Sequence, residues 1–125
     1  MLPLRFPKLW AAFAWSLTAA VIVGSLVPSP VLSAIPVRDK LLHAVAYLVL
    51  TVSFAGFYRR SLYPTVAALL LVLGVSLELL QGLTETRSAD WRDMAMNSAG
   101  VAAGLVLSWW LLGGWCQRIE RRLLS

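Results

Sequence analysis

Four long stretches almost free of charge dominate the sequence: Leu9 to Val27, Leu41 to Tyr58, Leu62 to Gly82 and, roughly, Ala95 to Trp115. A helix rising about 1.5 Å per residue covers roughly 28 Å in about 19 residues, close to the ~30 Å hydrocarbon thickness of a bilayer. Each stretch is therefore long enough to span. A soluble helical bundle would show a polar stripe at helical period, but Ala67 to Leu77 holds only Ser76 as a polar side chain. Composition agrees: 59% of residues are hydrophobic and 14% charged, against about 45–50% and about 25% in soluble domains. The expectation is an all-α, polytopic membrane protein. Its 125 residues form one domain, a compact bundle of four transmembrane helices ending in a basic tail over 116–125. One Cys and one His exclude an intrachain disulfide and a zinc finger.

The connections carry helix-breaking residues. Pro28, Pro30 and Pro36 interrupt the first, and Pro64 falls in the first turn of the third helix, where its missing N–H does no harm. The turn around Arg59 and Arg60 is short, so the second and third helices form an antiparallel hairpin. Arg5 and Lys8 ahead of an apolar stretch resemble a signal peptide, but the stretch outruns a signal core of about 7–15 residues and is expected to be retained. Positive charge sets the orientation. With the N-terminus inside, Arg5, Lys8, Arg59, Arg60, Arg118, Arg121 and Arg122 are cytoplasmic, whereas Arg38, Lys40, Arg87 and Arg92 lie outside among Asp39, Glu85, Asp90 and Asp93. This N-in, C-in arrangement turns the net charge of +5 into a cytoplasmic rim facing anionic lipid headgroups, and no nucleic acid is needed to explain it. Trp10, Trp109, Trp110 and Trp115 fall at the inner interface and Trp91 at the outer one, as belt anchors, while Trp15 lies deeper as packing. Cys116 at the inner boundary is expected to be an inert thiol rather than a palmitoylation site.

Away from that rim, the residues capable of chemistry gather at the outer ends of the second, third and fourth helices. Residues three or four apart share a helix face. Asp39, His43 and Tyr47 form one line with Lys40 beside His43, Glu78 and Gln81 form another, and Asp90, Asp93 and Asn97 form a third, continued by Gly100 and Gly104. Facing inward, the three lines meet in a polar cluster. Asp39 and Asp90 are equally placed to cap helix N-termini, and Gly100 with Gly104 reads as a small-residue packing seam. Glu78 lies about one turn, roughly 6 Å, inside its span. A charge at mid-membrane costs about 2.5–3.5 kcal/mol on insertion scales, so Glu78 should face protein, with Lys40, Arg87 or Arg92 as partner.

An imidazole can titrate near neutral pH, so His43 offers a general base, and with Asp39 one turn before it the geometry allows a His–carboxylate dyad. A metal would need His43 with two or three of Asp39, Glu78, Asp90 and Asp93, a set without the spacing of a zinc motif, so no metal or cofactor is expected. No G-x-S-x-G, P-loop or H-E-x-x-H signature occurs. Whether the chain is an enzyme is thus left open, and any chemistry rests on acid–base or phosphate-binding groups. Arg87 and Arg92 have the fork geometry to hold a phosphate.

The spacing Asp39-Lys40-x-x-His43-x-x-x-Tyr47, then Glu78-Leu79-Leu80-Gln81, then Arg87-Ser88 followed by Asp93-x-x-x-Asn97-x-x-Gly100-x-x-x-Gly104 resembles the VanZ-like family of small bacterial membrane proteins. The resemblance covers roughly Arg38 to Gly104. It departs at Ala44, where an aromatic commonly follows the family His, and at Glu85-Thr86, where a Pro-Gly turn often precedes the family Arg. It implies a four-helix membrane domain in the bacterial inner membrane and a cell-envelope role, with the namesake associated with glycopeptide-antibiotic resistance, but carries over no established activity.

Two readings of function follow. In the first, Asp39, Lys40, His43, Glu78, Gln81, Arg87, Asp93 and Asn97 line an outward-facing pocket that recognises or modifies a lipid-linked or peptidoglycan-related component. Arg87 and Lys40 hold its anionic group, His43 with Glu78 exchanges protons, Asp39 supports His43, and Asn97 and Gln81 orient by hydrogen bonds. In the second, the same residues are an interhelical lock in a structural protein that meets a membrane-protein partner. A proton-coupled transporter needs ionisable residues through the membrane's depth, and the inner halves of the spans supply almost none.

Overall fold

The computed structural model describes residues 1–26, 36–83 and 91–124, with side chains for all of these except 36–40. The helices are α1 (Pro7–Leu26), α2 (Pro36–Ala55), α3 (Tyr63–Gln81), α4 (Trp91–Leu107) and α5 (Trp115–Leu124), with a 3₁₀ turn at Arg60–Leu62 and a π turn at Ser108–Leu112 continuing α4. By length and composition, Pro7–Leu26, Arg60–Gln81 and Trp91–Leu124 are long enough to cross a membrane, and Leu41–Ala55 is a shorter apolar segment. The molecule is an all-α membrane bundle, as expected. The second helix starts earlier and ends sooner than its apolar stretch, because Gly56 breaks it.

Apolar side chains cover the outside. Leu69, Val72, Val23, Leu9 and Val106 are exposed, as a lipid-facing surface requires. The interior combines Tyr47, Leu50, Phe54, Phe57, Val66, Leu70 and Val101 with buried polar residues. Backbone and hydroxyl groups at membrane depth must be satisfied internally. Thr18, Thr51 and Ser53 accordingly donate to carbonyls one turn back, at Ala14 (2.9 Å), Tyr47 (2.7 Å) and Val49 (2.7 Å). Trp15, expected as packing, is 60% exposed and touches the bundle by setting its ring edgewise on Phe54 at 5.4 Å.

The most intimate helix pair is α2 with α4. A Cβ on Gly100 would collide with the carbonyl oxygen of Ala44, and one on Gly104 would lie 2.6 Å from Thr51 Cβ. The seam read from the sequence is therefore real, and its partner is α2. Ala44 supplies backbone rather than bulk at this crossing.

At the end of the bundle that holds Met1, the expected tail is a folded helix. Glu120 on α5 accepts hydrogen bonds from the Arg5 amide (2.7 Å), the Phe6 amide (2.9 Å) and the Trp10 indole (2.7 Å). The carboxylate caps α1 from the far end of the chain, and its charge complements the helix N-terminus. Desolvation pushes its pKa up, but the two amides, the indole and the Arg5 charge outweigh it and hold the group below the ordinary carboxylate range. Trp10 and Trp115 pack edge to face at 5.4 Å, and the Trp115 indole donates to Val52 O at 2.8 Å. Both are thus packed within this end, not simple interface anchors, whereas Trp109, Trp110 and Trp91 are exposed. Cys116 is buried, in keeping with an inert thiol.

The π turn leaves carbonyls without helical partners, and two arginines of the expected basic rim satisfy them. Arg60 donates to Trp109 O (2.8 Å) with its guanidinium 4.9 Å from that ring's centre, and Arg118 donates to Gly113 O (2.8 Å) and Leu111 O (3.1 Å). Gly114, at φ +71°, then reverses the chain into α5 and donates its amide to Ala55 O at 3.1 Å.

Replacing Gly100 with Val is expected to destabilise the bundle by about 1–3 kcal/mol through overpacking at the α2–α4 crossing, read by thermal unfolding in detergent. Replacing Glu120 with Ala is expected to expose the Arg5 and Phe6 amides to rapid hydrogen exchange at neutral pH. In the unsubstituted chain the stabilisation by Glu120 is complete above the ordinary carboxylate range. It is lost only as pH falls through the lowered folded value, so protection of those amides should collapse in acid, not near neutrality.

Candidate functional site

At the other end of the bundle, three helices each contribute one ionisable side chain to a common point. His43 comes from the first half of α2, Glu78 from the last turn of α3, and Asp93 from the first turn of α4. A ring nitrogen of His43 and one carboxylate oxygen each from Glu78 and Asp93 all lie within 4.8 Å of one another. Glu78 is 1% exposed and Asp93 8%, while His43 is half-buried. The cost of burying Glu78 is therefore met by polar neighbours in the protein, as its depth in the span demands.

Asn97, 4% exposed, sits one turn beyond Asp93 on the same face of α4. Its Oδ1 lies 3.1 Å from His43 Nδ1. An amide oxygen only accepts, so this contact requires an N–H on Nδ1, and in the neutral ring that tautomer carries its lone pair on Nε2. The Asn97 amide nitrogen faces α3 at Gly74, where a Cβ would come within 3.1 Å of it and within 3.4 Å of the Tyr47 ring. Gly74 thus leaves the room in which Asn97 stands over Tyr47 and reaches His43. The line of His43 and Tyr47 on α2 meets the line of Asp93 and Asn97 on α4 because the Gly100–Ala44 crossing lies one turn beyond Asn97 on α4 and directly beside His43 on α2.

Gln81 is buried, and its amide donates to the Ser25 carbonyl at the end of α1, a hydrogen bond that ties α3 to α1. Arg92 is exposed with its guanidinium 5.9 Å from the centre of the Trp91 ring. The side chains of Asp39 and Lys40 and the whole of Arg87 and Asp90 lie outside the described residues. Among the expected site residues, the structure therefore brings together His43, Glu78, Asp93 and Asn97.

One contact at this end was not expected from the sequence: Ser25 acts through its backbone, which leaves no side-chain signal. At the other end, Glu120 did leave one, as the lone acid in a basic tail.

The sequence profile of the VanZ/LLP1 family matches residues 3–112, which take in the bundle from the entry to α1 through the π turn. No curated protein sequence and no solved structure gives a significant match.

Substituting Asn97 with Leu is expected to destabilise the fold by about 1–2 kcal/mol, because a buried imidazole donor loses its acceptor. The chain has a single His, so ¹⁵N-labelled imidazole reports on it without ambiguity. The unsubstituted protein should show the Nδ1-protonated tautomer, and the variant should not hold it.

Proposed function

The chain belongs to the VanZ/LLP1 family over residues 3–112, and on that premise we propose that it recognises or modifies an anionic, lipid-linked component of the bacterial envelope at the polar end of its bundle. The observation that carries this proposal is the convergence of His43, Glu78 and Asp93 from three helices within 4.8 Å. A bundle needing only stability does better with apolar contacts there, since buried ionisable groups cost more than they return unless fully compensated. In the proposal the protein lies N-in and C-in in the inner membrane, which puts the polar end at the outer leaflet. Lys40 and Arg87 neutralise the headgroup, and Asp39 adjoins His43 from the preceding turn. His43 with Glu78 accepts and returns a proton, while Asn97 fixes the imidazole. A contribution to glycopeptide-antibiotic tolerance is the narrower form of the same proposal. The cytoplasmic basic residues contact anionic lipid.

The hydrogen bonds from Gln81 to Ser25 and from His43 to Asn97 also support a second reading, in which the cluster is an interhelical lock and the protein serves by binding a membrane partner. The two separate experimentally. The full chain in nanodiscs is titrated with a polyprenyl phosphate, with phosphatidylcholine discs as the blank. The pocket reading expects Arg87→Ala and His43→Gln to weaken binding at least about tenfold, the scale of one charge-assisted contact, while membrane accumulation and melting temperature stay near those of the parent. The lock reading expects the same variants to lose accumulation and no saturable lipid-phosphate binding by the parent. Inhibitory concentrations of a glycopeptide for cells with and without the gene test the narrower form.

A further inference from the structure

We propose that His43, Glu78 and Asp93 together form a binding site for a divalent transition-metal ion, of which Zn²⁺ or Mn²⁺ fits the donor set. Nothing in the spacing along the chain points to one, since the ligands lie far apart and match no local motif. The bundle supplies what spacing does not. One imidazole and two carboxylates, each from a different helix, present donor atoms within 4.8 Å of one another. Bonds of about 2.0–2.2 Å place the donors of one ion within roughly 4 Å of each other, so small side-chain rotations close the set.

Charge favours the same occupant. Carboxylates so close together attract a dication jointly, and with Glu78 only 1% exposed bulk water screens that attraction little. A dication between them neutralises both and is held by both. The contact between His43 Nδ1 and Asn97 Oδ1 at 3.1 Å suits an Nδ1–H donor, and the neutral ring in that tautomer offers Nε2 to the ion. Such an outer hydrogen bond orients a metal-binding imidazole and raises its basicity. No thiol takes part, because Cys116 sits at the other end of the bundle beside Gly56 and Glu120. An imidazole–carboxylate set selects Zn²⁺ or Mn²⁺ over thiophilic ions. Three protein ligands leave coordination positions open, the arrangement in which a metal takes an oxygen from water or from a ligand. A phosphate oxygen of the lipid-linked component is then a natural further ligand, and this last step rests on the pocket reading above.

The test uses the full chain in detergent, stripped with chelator and titrated with Zn²⁺. About one equivalent should bind and survive desalting. Glu78→Gln, Asp93→Asn and His43→Gln should each weaken binding at least about tenfold, Asn97→Ala should weaken it by about tenfold as an outer-shell change, and Cys116→Ser should leave it unaltered. Should a ligand variant fail to fold, the unsubstituted chain decides. Coordination shifts the ¹⁵N resonance of its single imidazole at Nε2 and gives a Co²⁺ derivative with visible ligand-field bands. Sub-stoichiometric uptake, an unmoved Nε2 resonance, or equal binding by all three ligand variants overturns the site. The polyprenyl-phosphate titration repeated in chelator separates this proposal from the pocket reading. Lipid-phosphate binding that persists without any Zn²⁺ uptake removes the metal and keeps the pocket. Zn²⁺ uptake with no lipid-phosphate binding does the reverse.

Discussion

The close approach of α2 and α4 at Gly100 and Ala44 is the constraint on which the rest of the arrangement depends. Only helices whose backbones nearly touch can bring short polar side chains into register one turn away, and His43 meets Asn97 one turn from that crossing. Tyr47 and Gly74 then bring α3 into the same layer, and Glu78 follows one turn beyond Gly74 on the same face. A methyl group at position 100 would push the helices apart where the polar cluster needs them closest. In a bilayer, where lipid is as apolar as any leucine, small residues and interhelical hydrogen bonds are the means by which helices choose partners.

The two ends of the bundle solve different problems with similar chemistry. At the end holding Met1, a single carboxylate, Glu120, collects two amides and an indole and so fixes the start of α1 against α5. It is fully occupied by structural donors, and its depressed pKa follows from them. Arg60 and Arg118 are similarly committed to carbonyls released by the π turn, so part of the basic rim is structural. At the opposite end the carboxylates of Glu78 and Asp93 converge with the His43 imidazole, each from a different helix. Titratable groups facing one another across helices are an expensive way to hold a fold together, and that expense is the physical ground for looking there for function.

Much of this was legible along the chain. The apolar stretches located the first four helices, Pro64 marked the start of α3, and the Gly100–Gly104 spacing marked a packing seam. Helical periodicity correctly grouped Asp93 with Asn97 and His43 with Tyr47. It does not say what a side chain reaches across the bundle. Gln81, on the helical line of Glu78, donates to the Ser25 carbonyl, and Glu120, one stray acid in a basic tail along the sequence, caps the far end of the chain.

The sequence by itself determined that this chain is a membrane bundle, roughly where its apolar helices lie, and which polar residues share a face, because hydropathy and helical period are local properties. Only the tertiary structure decided that Glu78, Asp93 and His43 share one point, that Asn97 holds the imidazole by Nδ1, and that Glu120 caps a helix more than a hundred residues away. Those relations depend on how each helix is rotated about its axis and how near its neighbour comes. Such quantities are set by contacts between residues distant in the chain, and no period within one helix encodes them.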